Sequence, residues 1–389
     1  MKKINLFGVN INIILLGFVS LLNDLSSEMI MPILPMFIKS LGGTGIIIGL
    51  IGGIRDGIAS ILKVVSGYIS DKTGKRKIFV FSGYLISSIF KLFLALSRTW
   101  HQFLIFSSLE RAGKGLRDAP RDAMISSFTN KKFGKNFGVH RTLDTTGAIL
   151  GSILVFFLFW VWNLSFKSII LIAAIISFLS LVPFYFIEKE KKIEREEQFK
   201  FCFNCLPAKL KWFFVISGTF ALANFSYMFF ILRTQDFFTG RLTIAAPIFL
   251  YILFNFFYAV FAIPLGILSD KIGRSRVIGS GYFLFSLTTL GFVFFKTLPA
   301  FIFLFILYGI VKALVEGNQR AYVADLSSQN IRATAIGLFY TTTGLITFFS
   351  SLIAGILWQF TPTTTFLFGS VVSIISVILF VIFKCVFRN

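Results

Sequence analysis

Residues 109–124, LERAGKGLRDAPRDAM, carry seven ionisable side chains in a chain that is apolar on either side of them. Arg111, Lys114, Asp118 and Arg121 follow spacings of three, four and three, which places them along one stripe of a helix. Asp122 adjoins that stripe, and Glu110 and Arg117 lie to its sides. A sparser row recurs late in the chain, with Lys312, Glu316 and Arg320 at four-residue spacing. Near the N-terminus, LLNDLSSEMIMPILP sets Asp24 and Glu28 one helical turn apart on a shared face, and Asp56 follows in the next apolar run. Two carboxyls so close can hold one proton between them, and buried carboxyls beside buried bases are the groups that answer to an ion gradient. The same spacing also suits a structural charge lattice in which each acid pairs with a base on a neighbouring helix.

Other chemistries find little support. There is no GxxxxGK[ST] nucleotide loop, no HExxH, no GxSxG and no histidine cluster; His101 and His140 fall in expected connections. Cys202 and Cys205 form a lone CxxC without the further ligands that complete a zinc site of about four, so the thiols read as incidental. An enzyme is not expected, nor a metal or an organic cofactor. The expected energy source is an ion gradient, with the proton first.

The setting of these charges is a membrane. A chain of 389 residues with 56% hydrophobic content and 52 Phe, of mean hydropathy +0.83, is too apolar for a soluble domain. Its apolar runs are of helix length, which argues against an outer-membrane barrel. A charge facing lipid at the bilayer centre costs roughly 3 kcal/mol, so the seven in residues 109–124 must point at other helices or at enclosed water. Twelve spans are expected, at 9–38, 44–69, 77–97, 101–128, 139–162, 167–187, 212–235, 243–268, 277–296, 299–326, 333–358 and 363–386. The net charge of +21 lies mainly at both termini and in the even-numbered connections (72–77, 131–141, 189–211, 271–276), which places both termini in the cytoplasm. It is a topology signal that also suits anionic lipid, and it is no footprint for nucleic acid. All five Trp fall near span ends. The N-terminal MKK and its apolar run lack a cleavage site and read as the first span.

The chain is also duplicated. GYISDKTGKRK after the second span nearly recurs as GILSDKIGRSR after the eighth, carrying Gly67, Asp71 and Gly74 onto Gly266, Asp270 and Gly273 at an offset of 199. The same offset carries Arg121 onto Arg320 and Gly138 onto Gly337, and three regions in one register indicate an internal repeat. The expected fold is all-α and integral to the membrane, with twelve transmembrane helices in two pseudo-symmetric six-helix bundles. The halves are 1–187 and 212–389, joined by a charged cytoplasmic linker at 188–211. Parallel repeats of this kind leave a path between them.

The G-x-x-x-D-x-x-G-[RK] loop and its repeat resemble the signature loop of the major facilitator superfamily, and the resemblance covers essentially the whole chain. It implies that Gly67, Asp71, Gly74 and Arg76, with Gly266, Asp270, Gly273 and Arg274, form gating turns that lock helix ends in one conformational state. By the same analogy Asp325 completes a salt-bridge latch in the second half, where the first half has Ser126 and Ser127. Arg111 and Gly115 in ERAGKG are similar to the fourth-helix motif whose arginine is linked to proton coupling. Gly147 and Gly151 in TTGAILGS resemble the fifth-helix antiporter motif, although Ser152 stands where a proline is usual. The run GKGLRDAPRDA looks like a bacterial and archaeal branch of the family.

The expected function is secondary active transport of a small polar solute by alternating access, driven by protons through Asp24, Glu28 and Arg111. Acids and bases in the spans nearly balance. In the family arrangement the bases of the fourth and tenth helices face each other, which tilts the solute toward an anion or zwitterion. The location is the cytoplasmic membrane, the protein a monomer, and its partners a small-molecule substrate and lipid. The alternatives are a proton-driven exporter of drugs or metabolites and, from another class, a receptor or scaffold that moves nothing.

Overall fold

The computed structural model describes residues 5–6, 9–128, 133–188, 206–328 and 331–387. Apart from a pair of two-residue strands, β1 (Asn5–Leu6) and β2 (Val9–Asn10), the regular elements are helical. In chain order they are α1 (Ile11–Ile30), α2 (Leu34–Ser40), α3 (Gly45–Thr73), α4 (Arg76–Leu96), α5 (Trp100–Phe128), α6 (Phe133–Trp160), α7 (Phe166–Leu179) and α8 (Leu181–Tyr185). After the connection come α9 (Ala208–Ala223), α10 (Met228–Gln235), α11 (Leu242–Ile272), α12 (Arg274–Phe294), α13 (Leu298–Asp325), α14 (Arg332–Phe360) and α15 (Pro362–Val386). Most of the expected linker, with Cys202 and Cys205, lies outside the described residues.

Eleven segments of the described residues are long and apolar enough to cross a membrane. The remaining expected span is α5, whose 29 residues match its neighbours in length but carry too much charge to pass on composition. Three spans are broken. The first divides into α1 and α2 because Pro32 cannot donate to the carbonyl of Glu28, and Pro35 heads the next helix. The sixth divides into α7 and α8 at Ser180. The seventh divides into α9 and α10 with no proline at the break; instead Ser350 Oγ donates to the Leu222 carbonyl (2.7 Å) and Ser351 Oγ accepts from the Ser226 N–H (3.1 Å). Serine hydroxyls thus take up the backbone groups that the lost turn releases, as an apolar surrounding demands.

The helices fall into two compact units, residues 1–42 with 58–198, and residues 43–57 with 199–389. The first half of α3 therefore groups with the second unit. There Gly49 and Gly53 run against the backbone of α14 at Ser351 and Phe348, which is the close approach that a four-residue glycine ridge permits.

In the first unit, two features explain how a charged helix is held. Gly113 and Gly83 bring α5 and α4 into backbone contact, Gly115 lies against Ala59 of α3, and Ser66 Oγ donates to the Gly115 carbonyl (3.0 Å). The apolar residues that α5 exposes, Ile105 and Leu109, stand four apart on one face, so its ionisable residues take the others. The second feature is the α1 and α6 contact, where Gly147 and Gly151 sit directly on the Leu21 and Leu25 carbonyl oxygens. A core of Leu16, Val19, Val80, Tyr84, Ile125 and Phe184 closes the same unit from α1, α4, α5 and α8.

The second unit is packed by aromatic rings. Phe220 stacks on Tyr282 (3.9 Å between centroids), Phe230 on Tyr308 (4.3 Å) and Phe292 on Phe366 (5.1 Å). Rings of this size bury much apolar area each and gain from these offset arrangements.

Replacing Gly147 or Gly151 by Leu drives side-chain atoms into the α1 backbone. Each is expected to lower stability by about 1–3 kcal/mol or more, read as an early loss of monodisperse protein on heating in detergent. Gly279→Ala, where nothing lies within 4 Å, should leave that profile unchanged.

Candidate functional site

The ionisable residues of the first unit converge where α1, α4, α5 and α6 meet. Arg117 is the centre: its side chain is 2% exposed, its guanidinium lies 4.3 Å from the centroid of the Tyr84 ring, and Nη2 is 4.0 Å from Asp24 on α1. Its Nε is 4.0 Å from Asp118 Oδ1, which Arg121 Nη1 also approaches at 3.8 Å. Arg121 Nη2 pairs with Asp122 (3.1 Å), and its Nη1 donates to Ser20 Oγ (3.4 Å). Ser20 in turn is hydrogen-bonded to Tyr84 Oη (2.9 Å) and to His140 Nε2 (3.0 Å). One hydroxyl on α1 thereby ties together α4, α5 and α6.

Beside this hub, the carboxyl of Asp24 meets the carboxyl of Asp144 from α6 within hydrogen-bonding reach. Arg141 Nη1 donates to Asp144 Oδ2 (3.1 Å), and no donor among the described residues reaches the buried Asp144 Oδ1. The site thus holds two acids facing one another, with the positive charges of Lys114, Arg117 and Arg121 acting on Asp24.

Two further buried ions flank the hub. Arg111 Nε lies 3.6 Å from Glu110, and its Nη2 donates to Met31 Sδ (2.8 Å) at the break between α1 and α2. Lys91, fully buried in α4, donates to Ser26 Oγ (3.0 Å), Ser177 Oγ (3.3 Å) and the Asn23 carbonyl (3.4 Å), so a cation is met by neutral oxygens from α1 and α7.

Arg117, which the spacing puts to the side of the charged stripe, is the base that an ion pair joins to Asp24. Arg111 and Arg121 turn instead to Glu110 and Met31, and to Asp118, Asp122 and Ser20. Asp24 faces Asp144 on another helix, while Glu28, one turn on, is partly buried. Asp56 groups with the second unit and is near Tyr308 there. His140, expected in a connection, is inside α6 and buried, because that helix begins at Phe133. Its place and that of Asp144 had a signal in the sequence: His140, Asp144, Gly147 and Gly151 follow spacings of four, three and four, so the glycine ridge that must meet α1 takes both along.

The corresponding row of the second unit is simpler. Lys312 Nζ is 4.0 Å from Glu316 and lies over the rings of Phe254 (5.3 Å) and Tyr258 (5.6 Å). Arg320 donates to the Glu316 carbonyl (3.2 Å) and to Tyr340 Oη (3.2 Å). No group of three or more His, Cys, Asp or Glu suited to a metal ion occurs among the described residues.

The two signature loops are built alike but tied differently. Gly74 and Gly273 both have positive φ (64° and 96°), the turn that reverses the chain between long helices, and Gly67 and Gly266 lie in the turns of helix before them. In the first loop Arg76 donates from Nε (2.8 Å) and Nη2 (2.6 Å) to Asp71. In the second, Arg274 pairs with Asp270 (3.1 Å) and, more closely, with Asp325 at the end of α13 (2.7 Å).

Long apolar helices with ionisable residues gathered at their meeting point define a multi-pass membrane protein of the transporter class. The family model of the Major Facilitator Superfamily matches residues 16–248 and 213–387. A curated protein of Methanocaldococcus jannaschii, an uncharacterized MFS-type transporter, is 56% identical over 369 residues, covering 94% of this chain and 93% of its own. The chain belongs to the major facilitator superfamily. The crystal structure of a mutant of the nucleoside transporter NupG superposes over 97% of this chain and 100% of its own, with a TM-score of 0.79 at 15% identity, a likeness of fold alone. The multidrug resistance protein MdtH of Aeromonas hydrophila is 27% identical over 157 residues, covering 40% of this chain and 38% of its own.

The unequal loops give an ordered expectation. Asp71→Asn weakens two charge-assisted bonds to a guanidinium that is 7% exposed, whereas Asp270→Asn leaves Arg274 its shorter bond to Asp325. Solute flux in proteoliposomes should therefore fall several-fold more in Asp71→Asn than in Asp270→Asn; equal effects would contradict the asymmetry.

Proposed function

We propose that this protein is a proton-coupled secondary active transporter of a small polar solute, anionic or zwitterionic, working by alternating access in the cytoplasmic membrane. Both termini face the cytoplasm, and the working unit is a monomer. The observation that carries the coupling is the meeting of Asp24 and Asp144 beside Arg117 and Arg121. Two carboxyls in hydrogen-bonding contact hold one proton between them, and its loss leaves two like charges in a site with little water to screen them. The arginines then have a different charge to answer, so taking up or releasing that proton changes which helix ends attract one another. A proton gradient can act on the fold through such a switch.

The bases Arg111, Lys114, Arg117 and Arg121 of the first unit favour an anionic group on the solute, as Lys312 and Arg320 do within the second, and the acids beside them accommodate a cationic one. A second reading, a proton-driven exporter of drugs or metabolites, rests on the partial likeness to MdtH and on the aromatic packing of the second unit. The same proton site serves either direction of transport.

The test is flux of labelled solutes in proteoliposomes under an imposed pH gradient. Asp24→Asn and Asp144→Asn, which carry no removable proton, should each cut gradient-driven accumulation at least tenfold while leaving solute exchange at zero gradient largely intact. Accumulation that survives both substitutions would refute coupling at this site, and an absence of flux for every solute class would favour a scaffold.

A further inference from the structure

The second unit also carries a groove whose lining includes none of the ionisable residues described above. It lies between α9 and α14, encloses about 500 Å³, and is walled by Phe214, Val215, Thr219, Ile346 and Phe349, with Lys211 at one end. That size is ordinary for a small-molecule site, roughly 300–1,000 Å³. The chemistry of the walls is narrow. Thr219 Oγ1 donates its hydrogen to its own helix at the Val215 carbonyl (2.9 Å), so this wall is mainly hydrocarbon, and Thr342 is the hydroxyl residue on the α14 side. Gly218 forms the floor, where an added Cβ would come 2.9 Å from Ile346 Cδ1, so the channel depends on a missing side chain. Val215 and Phe349 are each more than half exposed, so the groove opens along its length to whatever surrounds the helices.

Among the described residues that line the groove, Lys211 is the charged one. Lys211 stands at the start of α9, Lys209 lies nearby over the Phe387 ring (5.8 Å), and Arg332 opens α14. Trp212, 38% exposed, follows Lys211, where an amphipathic ring marks the boundary of hydrocarbon and headgroup. From Lys211 to Leu222 the groove follows α9 for about 16 Å at 1.5 Å per residue. A guest that matches is long, apolar and thin, with negative charge at one end only.

The geometry points to a binding site for an anionic phospholipid, with one acyl chain lying in the groove between α9 and α14 and its phosphate at Lys211. The charge at the mouth selects the headgroup, since a basic residue near an anionic lipid surface is worth about 1 kcal/mol, or roughly fivefold in affinity. The groove selects for a chain. The lipid bridges α9 to α14, and a ligand that binds only the folded protein raises its stability by mass action.

The experiment is thermal unfolding of the full-length protein in neutral detergent, titrated with phosphatidylglycerol or phosphatidylcholine of the same chains. The expected result is a saturable rise in Tm, half-maximal at a phosphatidylglycerol concentration at least tenfold below that for phosphatidylcholine. Lys211→Gln should raise the phosphatidylglycerol midpoint about fivefold without moving the phosphatidylcholine midpoint, and Lys211→Arg should restore it. Val215→Trp fills the groove from its exposed side and should remove the saturable phase; Thr219→Phe replaces it if the first variant unfolds early without lipid. Equal midpoints for the two lipids, or a Lys211→Gln midpoint unchanged, would overturn the proposal. So would glycerol phosphate reproducing the shift without chains, or a Tm that rises with protein concentration alone, the sign of a second copy in the groove.

Discussion

An ion inside a bilayer must find its partners within the protein, and the first unit is arranged around that demand. Helix α5 carries seven ionisable side chains in one segment and cannot be held as its neighbours are, by apolar area. It is held by backbone contact at Gly113 and Gly115, by the Arg117 ion pair and the Arg121 hydrogen bond to α1, and by ion pairs along its own turns. Each of the two depends on the other. The glycines bring the helices close enough for guanidinium and carboxyl groups to meet, and the paired charges remove the penalty that would otherwise expel α5 from the membrane.

The second unit descends from the same ancestral half but satisfies the constraint differently. Gly83 and Tyr84 of α4 recur as Gly281 and Tyr282 of α12, and Ser88 bound to Ser177 recurs as Ser286 bound to Ser370. The loop before them is one residue shorter, so the offset of 199 becomes 198. Where Gly83 faces Arg117, Gly281 faces Val315, and where Tyr84 meets Ser20 and the arginine, Tyr282 takes a hydrogen bond from Gln319 and stacks on Phe220. The repeat kept the glycine, the tyrosine and the hydroxyl pair, while the backbone contact and arginine at Gly83 gave way to the side chains of Leu314 and Val315 at Gly281 and to a stacked ring at Tyr282. The proposed proton chemistry then falls in one half and the ring packing in the other.

Hydropathy made the spans legible to within a few residues at most ends, because a helix that crosses lipid must be apolar for a length the bilayer sets. The signature loops were legible for a similar reason, since a positive-φ glycine beside an Asp and Arg pair is a local device. What could not be read were the partners. Arg111, Arg117 and Arg121 are chemically identical, and only the rotation of α5 fixed by Gly113 and Gly115 decides which one reaches Asp24. The break in the seventh span was hidden because its backbone groups are met by Ser350 and Ser351, far away in the chain. Asp144 was recoverable in principle, by extending the glycine ridge of α6 three residues back. His140 was missed because a residue at the edge of the span expected from 139 was read with the connection, whereas α6 begins six residues earlier, at Phe133.

The charged stripe of α5 faces protein or enclosed water while Ile105 and Leu109 of the same helix face acyl chains. Spin labels on single cysteines at positions 105, 109, 114 and 118, in a background without Cys202, Cys205 and Cys385, measure this by relaxation with lipid-soluble oxygen and a water-soluble nickel chelate. The prediction is strong oxygen relaxation at 105 and 109, with 114 and 118 shielded from oxygen. Oxygen exposure at 114 and 118 equal to that at 105 would contradict it.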